Sequence, residues 1–381
     1  MEPSTFDTLV KSCTQGKTRR RIVALLATLP LGQMLSITRE NASAEKPHER
    51  LRRRNKQRKR KQRNRQRRNK NQTTNGGGGG RLGDSGPCTP QCAGKTCGPD
   101  GCGGSCGTCA ANSIYHDGAC HACDVCPTCS FKNIQDAAND SGSDTIYICP
   151  GIYYDTLTIE RDCTLIGAGQ GEGPGDTILD GMQVSVATAF IYAESSLTLQ
   201  GLRIRNTRPE FGGTYPSGVL VMEGGNQTLT MIDCTMTRNT TNGYAPVYFR
   251  SIGGKLLMTG CTISNNSNQT YPGPPPTAVA AAQVGVPSPG AIFTAADSTL
   301  TNCVISGNVT RSEYQTSNGG GIWYMGGNHT LDNTSITGNK AYGEGGGIYN
   351  EGGTVTLQNG ASVTGNNPTN CEGAAIAGCK G

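Results

Sequence analysis

From about residue 145 to the C-terminal end, apolar and polar residues alternate in short runs such as Leu197-Thr198-Leu199, Leu229-Thr230-Met231 and Val355-Thr356-Leu357. Alternation with a period of two predicts strands with one buried face, and the runs are too short for helices. Several runs share one template. Leu229-Thr-Met231-Ile-Asp-Cys234-Thr-Met236-Thr-Arg-Asn239 is followed by Leu256-Leu-Met258-Thr-Gly-Cys261-Thr-Ile263-Ser-Asn-Asn266. Then come Leu300 to Asn308, Leu331 to Asn339 and Val355 to Asn366, with Leu197 to Ile204 as a looser first copy. A further short strand precedes each pair: Gly218-Val-Leu-Val, Pro246-Val-Tyr-Phe, Gly290-Ala-Ile-Phe, Gly319-Gly-Gly-Ile-Trp and Gly345-Gly-Gly-Ile-Tyr.

Asn239 and Asn266 are 27 residues apart, as are Asn339 and Asn366, and the other intervals are lengthened by insertions. One repeat is therefore three short strands with their turns. A single coil cannot bury its apolar face; stacked coils can, with rungs about 4.8 Å apart, and the pattern closes into a solenoid of about seven coils. The aligned asparagines fall at sharp turns, where Asn tolerates a left-handed backbone and can bond to the next coil. Cys234, Cys261 and Cys303 share one inward column as small buried apolar groups.

Ahead of the repeats, Phe131, Ile134, Ala137 and Ala138 have helical spacing, which Ser141-Gly-Ser-Asp ends. Thr145 to Ile148, Leu157 to Ile159 and Cys163 to Gly167 follow as the first strands. Here the chain resembles the opening coil of pectin-lyase-like proteins. The Gly-Gly-x-Ile and Ile-Thr-Gly-Asn turns are similar to those of polymorphic outer-membrane and adhesin-type repeats. The resemblance covers roughly 130–370. It implies an all-β right-handed parallel β-helix with a short N-terminal capping helix. Those repeat families usually end in a membrane barrel, for which this chain shows no segment before Gly381.

Composition supports strands and tight turns: 55 Gly, six Phe and one Trp, with no Gly-X-Y period that would indicate collagen. Charge divides the chain. Residues 1–44 read as an export signal: Lys17, Arg19, Arg20 and Arg21, an apolar stretch from Ile22 to Leu35, then Ala42-Ser43-Ala44. Thr18-Arg19-Arg20-Arg21-Ile22-Val23 also resembles a twin-arginine signal. Residues 45–87 form a disordered basic segment and Gly-rich linker, with 15 Lys/Arg between 46 and 70. The rest is acidic: residues 71–381 hold 13 Lys/Arg against 23 Asp/Glu, a balance of −10 beneath the overall +6.

The basic segment lacks aromatics for stacking on bases, and a leader for export argues against a specific nucleic-acid partner. Attachment to a cell-envelope polyanion is one reading and a solubilising spacer the other. No later segment is long and apolar enough to span a bilayer as a helix. A secreted or cell-surface bacterial protein is expected, its oligomeric state open.

Residues 88–129 are Cys-rich. Cys88, Cys92, Cys97, Cys102, Cys106 and Cys109 lie in a stretch with almost nothing apolar to bury, so disulfides must hold it. It resembles Gly/Cys-rich modules of secreted bacterial proteins. Cys120, Cys123, Cys126 and Cys129 are spaced Cys-x-x-Cys throughout, which also admits zinc or an iron–sulfur cluster. Otherwise no cofactor is expected. Near the ends of the repeat region, 130–381, Cys149 with Cys163 and Cys371 with Cys379 are expected disulfides.

No recurrent pair of acids, Ser-His-Asp set or metal motif marks a catalytic centre. Asp176 and Asp180 lie in a turn, Asp233 is isolated, and His116, His121 and His329 are scattered. The insertions after the Asn turn each carry a tyrosine: Tyr215, Tyr244, Tyr271, Tyr314 and Tyr342. Along one solenoid edge they could bind a linear glycan, or they could simply cover the core. The expectation is a non-enzymatic adhesive or glycan-binding protein. A polysaccharide lyase or hydrolase with an atypical site is the first alternative, and a metal-binding role for the Cys-rich segment the second.

Overall fold

A computed structural model describes residues 89, 91–93, 98, 100, 102, 106–140, 142–183, 185–186, 189–209, 217–269, 289–311 and 317–380. The expected export signal and basic segment lie outside them, as do Cys88, Cys97, Tyr215, Tyr271 and Tyr314. Among the described residues no helix is long and apolar enough to cross a membrane.

The repeats form a stack of parallel strands. Each coil contributes to three columns in turn. The first column runs through Leu157–Ile159, Ala189–Ala193, Gly218–Gly225, Val247–Ile252 and Ile292–Thr294. The second holds Thr145–Ile148, Cys163–Gly167, Leu197–Gln200, Thr228–Ile232, Lys255–Thr259 and Asp297–Thr301. The long strands Ile322–Asp332 and Ile348–Gln358 belong to both, which merges these columns into one sheet. The third column, from Gly151–Tyr153 to Ser362–Thr364, has eight strands among the described residues and so marks eight coils.

Register explains the core. Leu229 lies beside Leu256, Met231 beside Met258, Met258 beside Leu300, and Leu300 beside Leu331. In the third column Ile204, Met236, Ile263, Ile305, Ile336 and Val363 succeed one another. All are buried in one continuous apolar cluster. A strand slipped by one residue would turn every such side chain outward, so the alternation itself enforces the register. The helix Ile134–Asn139 places Ile134, Ala137 and Ala138 in the same cluster, and the Asn133 side chain accepts from the Asp136 N–H at its start.

The Asn turn is a ladder of side-chain amides. Asn266 Oδ1 accepts from the Asn239 backbone N–H (3.0 Å) and Nδ2 (3.0 Å). Asn308, Asn339 and Asn366 repeat this for the coil before, and Asn370 ends the series. Each Nδ2 also donates to a buried carbonyl, as Asn308 does to Ile263 (2.9 Å). The left-handed residue is not the ladder Asn but its predecessor: Arg238 (φ 58°), Asn265 (φ 55°), Gly307 (φ 65°), Gly338 (φ 65°) and Gly365 (φ 64°). The preceding residue makes the bend, leaving the ladder Asn to aim its amide along the stack.

Cys234, Cys261 and Cys303 are buried and free. They are more than apolar filler: Cys234 Sγ donates to the Leu199 carbonyl (3.4 Å) and Cys261 Sγ to Met231 (3.3 Å). In the next coil Thr334 Oγ1 fills the column and donates to Leu300 (2.9 Å). Thiol and hydroxyl thus do one job, giving a hydrogen to a carbonyl that water cannot reach.

Candidate functional site

Alternation in the first column has an outward half as well. Leu220 and Met222 point into the core, whereas Val221 between them belongs to a separate cluster outside it. Register extends this outward position from coil to coil: Tyr192, Val221, Tyr248, Phe293, Trp323 and Tyr349. Tyr248 stacks on Phe293 at 4.8 Å between ring centroids, and Trp323 meets Phe293 at 6.4 Å and Tyr349 at 5.1 Å, both edge-on. Offset and edge-to-face pairs at these separations are favourable beyond their burial. Tyr248, Phe293 and Trp323 are buried, while Tyr192 and Tyr349 at the two ends are half-exposed.

Polar groups border this column. Two positions beyond Tyr192, Val221, Tyr248 and Tyr349 stand Glu194, Glu223, Arg250 and Glu351, with Glu223 beside Arg250 in register; the apolar Met325 beyond Trp323 is the exception. The Trp323 indole N–H donates to Glu351 (3.0 Å), and the Tyr244 hydroxyl donates to Glu223 (3.3 Å). Burial, then the Glu223 carboxylate, pushes the Tyr248 phenol up to about 12; the same two causes raise Tyr244 further. Burial first, then Glu194 and Glu223, raise Tyr192. These phenols stay protonated near neutrality and can donate hydrogen bonds.

Of the expected tyrosine edge, Tyr244 and Tyr342 are among the described residues. Tyr244 is half-buried and lies 4.1 Å from the Tyr248 ring, which joins it to the outer aromatic column. Tyr342 is 63 % exposed, and its backbone N–H donates to Thr310 Oγ1 (2.9 Å). The aromatic column itself was legible in the repeat alignment, because Tyr248, Phe293, Trp323 and Tyr349 each follow an aligned Val or Ile. Reading for inward positions passed over it.

No family model, curated protein or solved structure matches the chain.

The acids and histidines noted in the sequence serve structural ends. Asp176 accepts from the backbone N–H groups of Gly171 (2.9 Å) and Gly173 (2.8 Å), folding that loop. Asp180 is buried and pairs with Arg205 (2.7 Å), while Asn206 and the Met182 N–H also donate to it. Asp233 is a left-handed turn residue (φ 48°). His116 and His121 are neighbours rather than scattered: their rings lie 5.9 Å apart, and His121 stacks on Tyr147 at 4.4 Å.

Among the described residues one Ser–His pair occurs, Ser298 Oγ to His329 Nδ1 at 2.9 Å. Both residues are buried inside the solenoid. His329 Nε2 faces the Gly326 carbonyl and the ring stacks on Tyr324 at 3.7 Å. The Nε2–H must donate to that carbonyl, leaving Nδ1 to accept from Ser298. A nucleophile without access to substrate is no catalytic centre; the pair is a satisfied buried contact.

Burial pushes the His329 pKa down to about 4 from 6.5, against smaller opposite pulls from Gly326 and Asp297. Between these values the unfolded chain takes up a proton that the folded chain refuses, so stability falls as pH falls through the window. The expected loss at about pH 4, relative to neutrality, reaches about 3 kcal/mol. Urea midpoints at the two pH values check it, and His329→Gln should flatten that part of the profile. An unchanged slope in the variant would show that His329 is not the titrating group.

The cysteines depart from the expected pairing. Cys92 bonds Cys106, Cys109 bonds Cys120, and Cys371 bonds Cys379. Cys102 is also disulfide-bonded. Cys149 does not pair with Cys163. It bonds Cys123, whereas Cys163 is buried and free, its thiol pushed up to about 11 chiefly by burial. The reason is register: Cys163 is the inward neighbour of Leu197 in the second column, while the Cys149 N–H bonds the Val125 carbonyl, next to Cys123. Cys126 bonds Cys129, so the run from Cys120 to Cys129 carries no free thiolates in this state. The Cys123–Cys149 bond ties the Cys-rich segment covalently to the first coil.

Proposed function

We propose that the protein is a non-enzymatic adhesive or glycan-binding protein, secreted or on a bacterial cell surface, whose solenoid is a right-handed parallel β-helix. The handedness follows the general preference of parallel crossover connections, and the pectin-lyase-like and adhesin-type repeat resemblance agrees with it. The observation that carries the reading is the outward aromatic column with its polar border. Tyr192 and Tyr349 offer ring faces at the two ends. They lie five rungs apart, about 24 Å at about 4.8 Å per rung. Between them Glu194, Glu223, Arg250 and Glu351 provide hydrogen-bonding groups along one line. A linear polysaccharide has the matching chemistry: ring faces that stack on aromatics and hydroxyls that pair with carboxylate and guanidinium.

Retention of the full chain on a polysaccharide panel tests this. A retained polymer is expected to bind the Tyr192→Ala/Tyr349→Ala double variant about 30-fold more weakly, from about 1 kcal/mol per lost ring contact. No retention on any polymer, or equal retention by the double variant, overturns the reading.

One observation favours the lyase or hydrolase alternative. Two carboxylates, Glu194 and Glu223, both raise the Tyr192 phenol after burial, and glycoside cleavage uses a pair of acids. Sugar products released during the same assay, and lost in Glu223→Gln, would select that alternative.

A further inference from the structure

Cys123, Cys126, Cys129 and Cys149 bring four sulfurs to one place. The Sγ atoms of Cys126, Cys129 and Cys149 lie within 4.8 Å of one another, and Cys123 Sγ is bonded to that of Cys149. A tetrahedral zinc ion with Zn–S bonds of about 2.3 Å needs sulfurs about 3.8 Å apart. Small side-chain rotations about a set backbone would reach that geometry. The backbone is set by hydrogen bonds: Cys126 N–H to Phe131 O (3.1 Å), Cys129 N–H to Cys126 O (3.2 Å) and Cys149 N–H to Val125 O (3.1 Å).

The site is enclosed and holds one hydrogen-bond donor that a thiolate uses better than a disulfide does. Cys123, Cys126 and Cys149 are buried and Cys129 half-buried, in a shell that includes Ile114, Ile166 and Tyr147. Thr128 Oγ1 lies 3.5 Å from Cys126 Sγ. Asn112 Nδ2 donates to that same oxygen at 2.9 Å, which leaves the Thr128 hydrogen free to point at sulfur. A disulfide sulfur makes little use of such a donor; a metal-bound thiolate does. Lys132 Nζ donates to the Cys129 carbonyl (2.7 Å), placing a positive charge beside a centre that four thiolates and a divalent ion would leave at −2.

We infer that Cys123, Cys126, Cys129 and Cys149 form a tetrathiolate site for a divalent zinc-type cation, of which the Cys123–Cys149 and Cys126–Cys129 disulfides are the oxidised form. The inference does not depend on the glycan reading. A dithiol reductant delivers two electrons and two protons to each of the two disulfides, leaving four thiols. The cation then displaces four protons and binds four thiolates. In the reverse direction a disulfide-donating oxidant removes four electrons in total, both S–S bonds re-form and the cation leaves. The site differs from the evenly spaced run in the sequence. Cys120 is replaced by Cys149, because Cys120 bonds Cys109 while Cys149 N–H is held at Val125.

Cobalt(II), a spectroscopic stand-in for zinc, tests the site on the full chain reduced anaerobically with dithiothreitol. One cobalt per chain is expected, with the visible bands of tetrahedral cobalt and a thiolate charge-transfer band, both bleached by equimolar zinc. Cys149→Ser should lose the tetrathiolate spectrum and weaken cobalt binding by more than about 100-fold, beyond the range of a lost outer partner. Thr128→Ala should weaken it about 10-fold. Cys120→Ser should keep the wild-type spectrum. Wild-type chain without tetrahedral bands overturns the inference, as does a spectrum lost in Cys120→Ser and kept in Cys149→Ser, or kept in both. Should Cys149→Ser fail to fold by circular dichroism, cadmium NMR of the wild-type chain decides by the chemical shift of a four-sulfur site.

Discussion

Asn308→Ala is expected to destabilise the solenoid by about 3–5 kcal/mol, the largest effect foreseen for any single side chain that packs against no ligand. Asn308 stands in the middle of the amide ladder. Its Oδ1 accepts from Asn266 N–H (3.0 Å) and Asn266 Nδ2 (2.9 Å), and its Nδ2 donates to Ile263 O (2.9 Å) and Asn339 Oδ1 (2.9 Å). All of these groups are buried, so water cannot replace the lost amide. Truncation orphans the Asn266 N–H outright and takes the side-chain donor from the Ile263 carbonyl, at about 1–3 kcal/mol each, and leaves a small void besides. Asn308→Asp keeps the shape and the acceptor but removes the donor, and it puts one carboxylate oxygen against both Ile263 O and Asn339 Oδ1. It should therefore be no better than Ala at neutral pH. Denaturant midpoints of both variants check this. A loss below about 1 kcal/mol in Asn308→Ala would mean that the ladder merely decorates turns already held by the strands.

Gly346→Ala is expected to cost more than about 3 kcal/mol and to loosen the last coils first. A Cβ on Gly346 would overlap the Asn367 backbone at its nitrogen, carbon and oxygen together. Backbone cannot rotate away as a flexible side chain can, so the coils would have to part. Their link includes the Ala341 N–H bond to Asn367 O (2.9 Å), and parting would weaken it. Gly352→Ala is the matched control, because a Cβ there meets nothing within 4 Å; it should stay within about 0.5 kcal/mol of wild type. Hydrogen exchange resolved by segment separates the two effects. Faster exchange confined to 340–380 in Gly346→Ala supports the argument, and equal behaviour of both variants refutes it.

Much of the fold was legible because it depends on a period. Met231, Met258, Leu300 and Leu331 are apolar in every copy for the reason that each sits above the last in the column. Likewise Asn239, Asn266, Asn308, Asn339 and Asn366 recur because each bonds the next. The left-handed turn position was misplaced by one residue: in the Thr-Gly-Asn and Ser-Gly-Asn turns the Gly takes positive φ and the Asn does not.

The candidate site was legible only in fragments. Tyr244 was singled out for following a turn, yet its role comes from lying against Tyr248 and Glu223, which belong to other segments. Ser298 and His329 meet across adjacent coils, 31 residues apart, and nothing in their local sequence announces it. Cys149 was paired with Cys163 because both lie near the first coil, but proximity along the chain does not say which face a side chain takes.

By itself, the sequence determined the strand period, the closure of coils into a stacked solenoid, the inward apolar columns and the asparagine column. Each of these is a local preference repeated, and repetition adds small preferences into one consistent register. Only the tertiary structure decided that Cys123 bonds Cys149, that Cys163 stays free, that Tyr244 reaches Glu223 and that Trp323 reaches Glu351. These contacts join residues tens of positions apart across insertions of unequal length. No period in the chain encodes them; the stacking of one coil on the next brings them together.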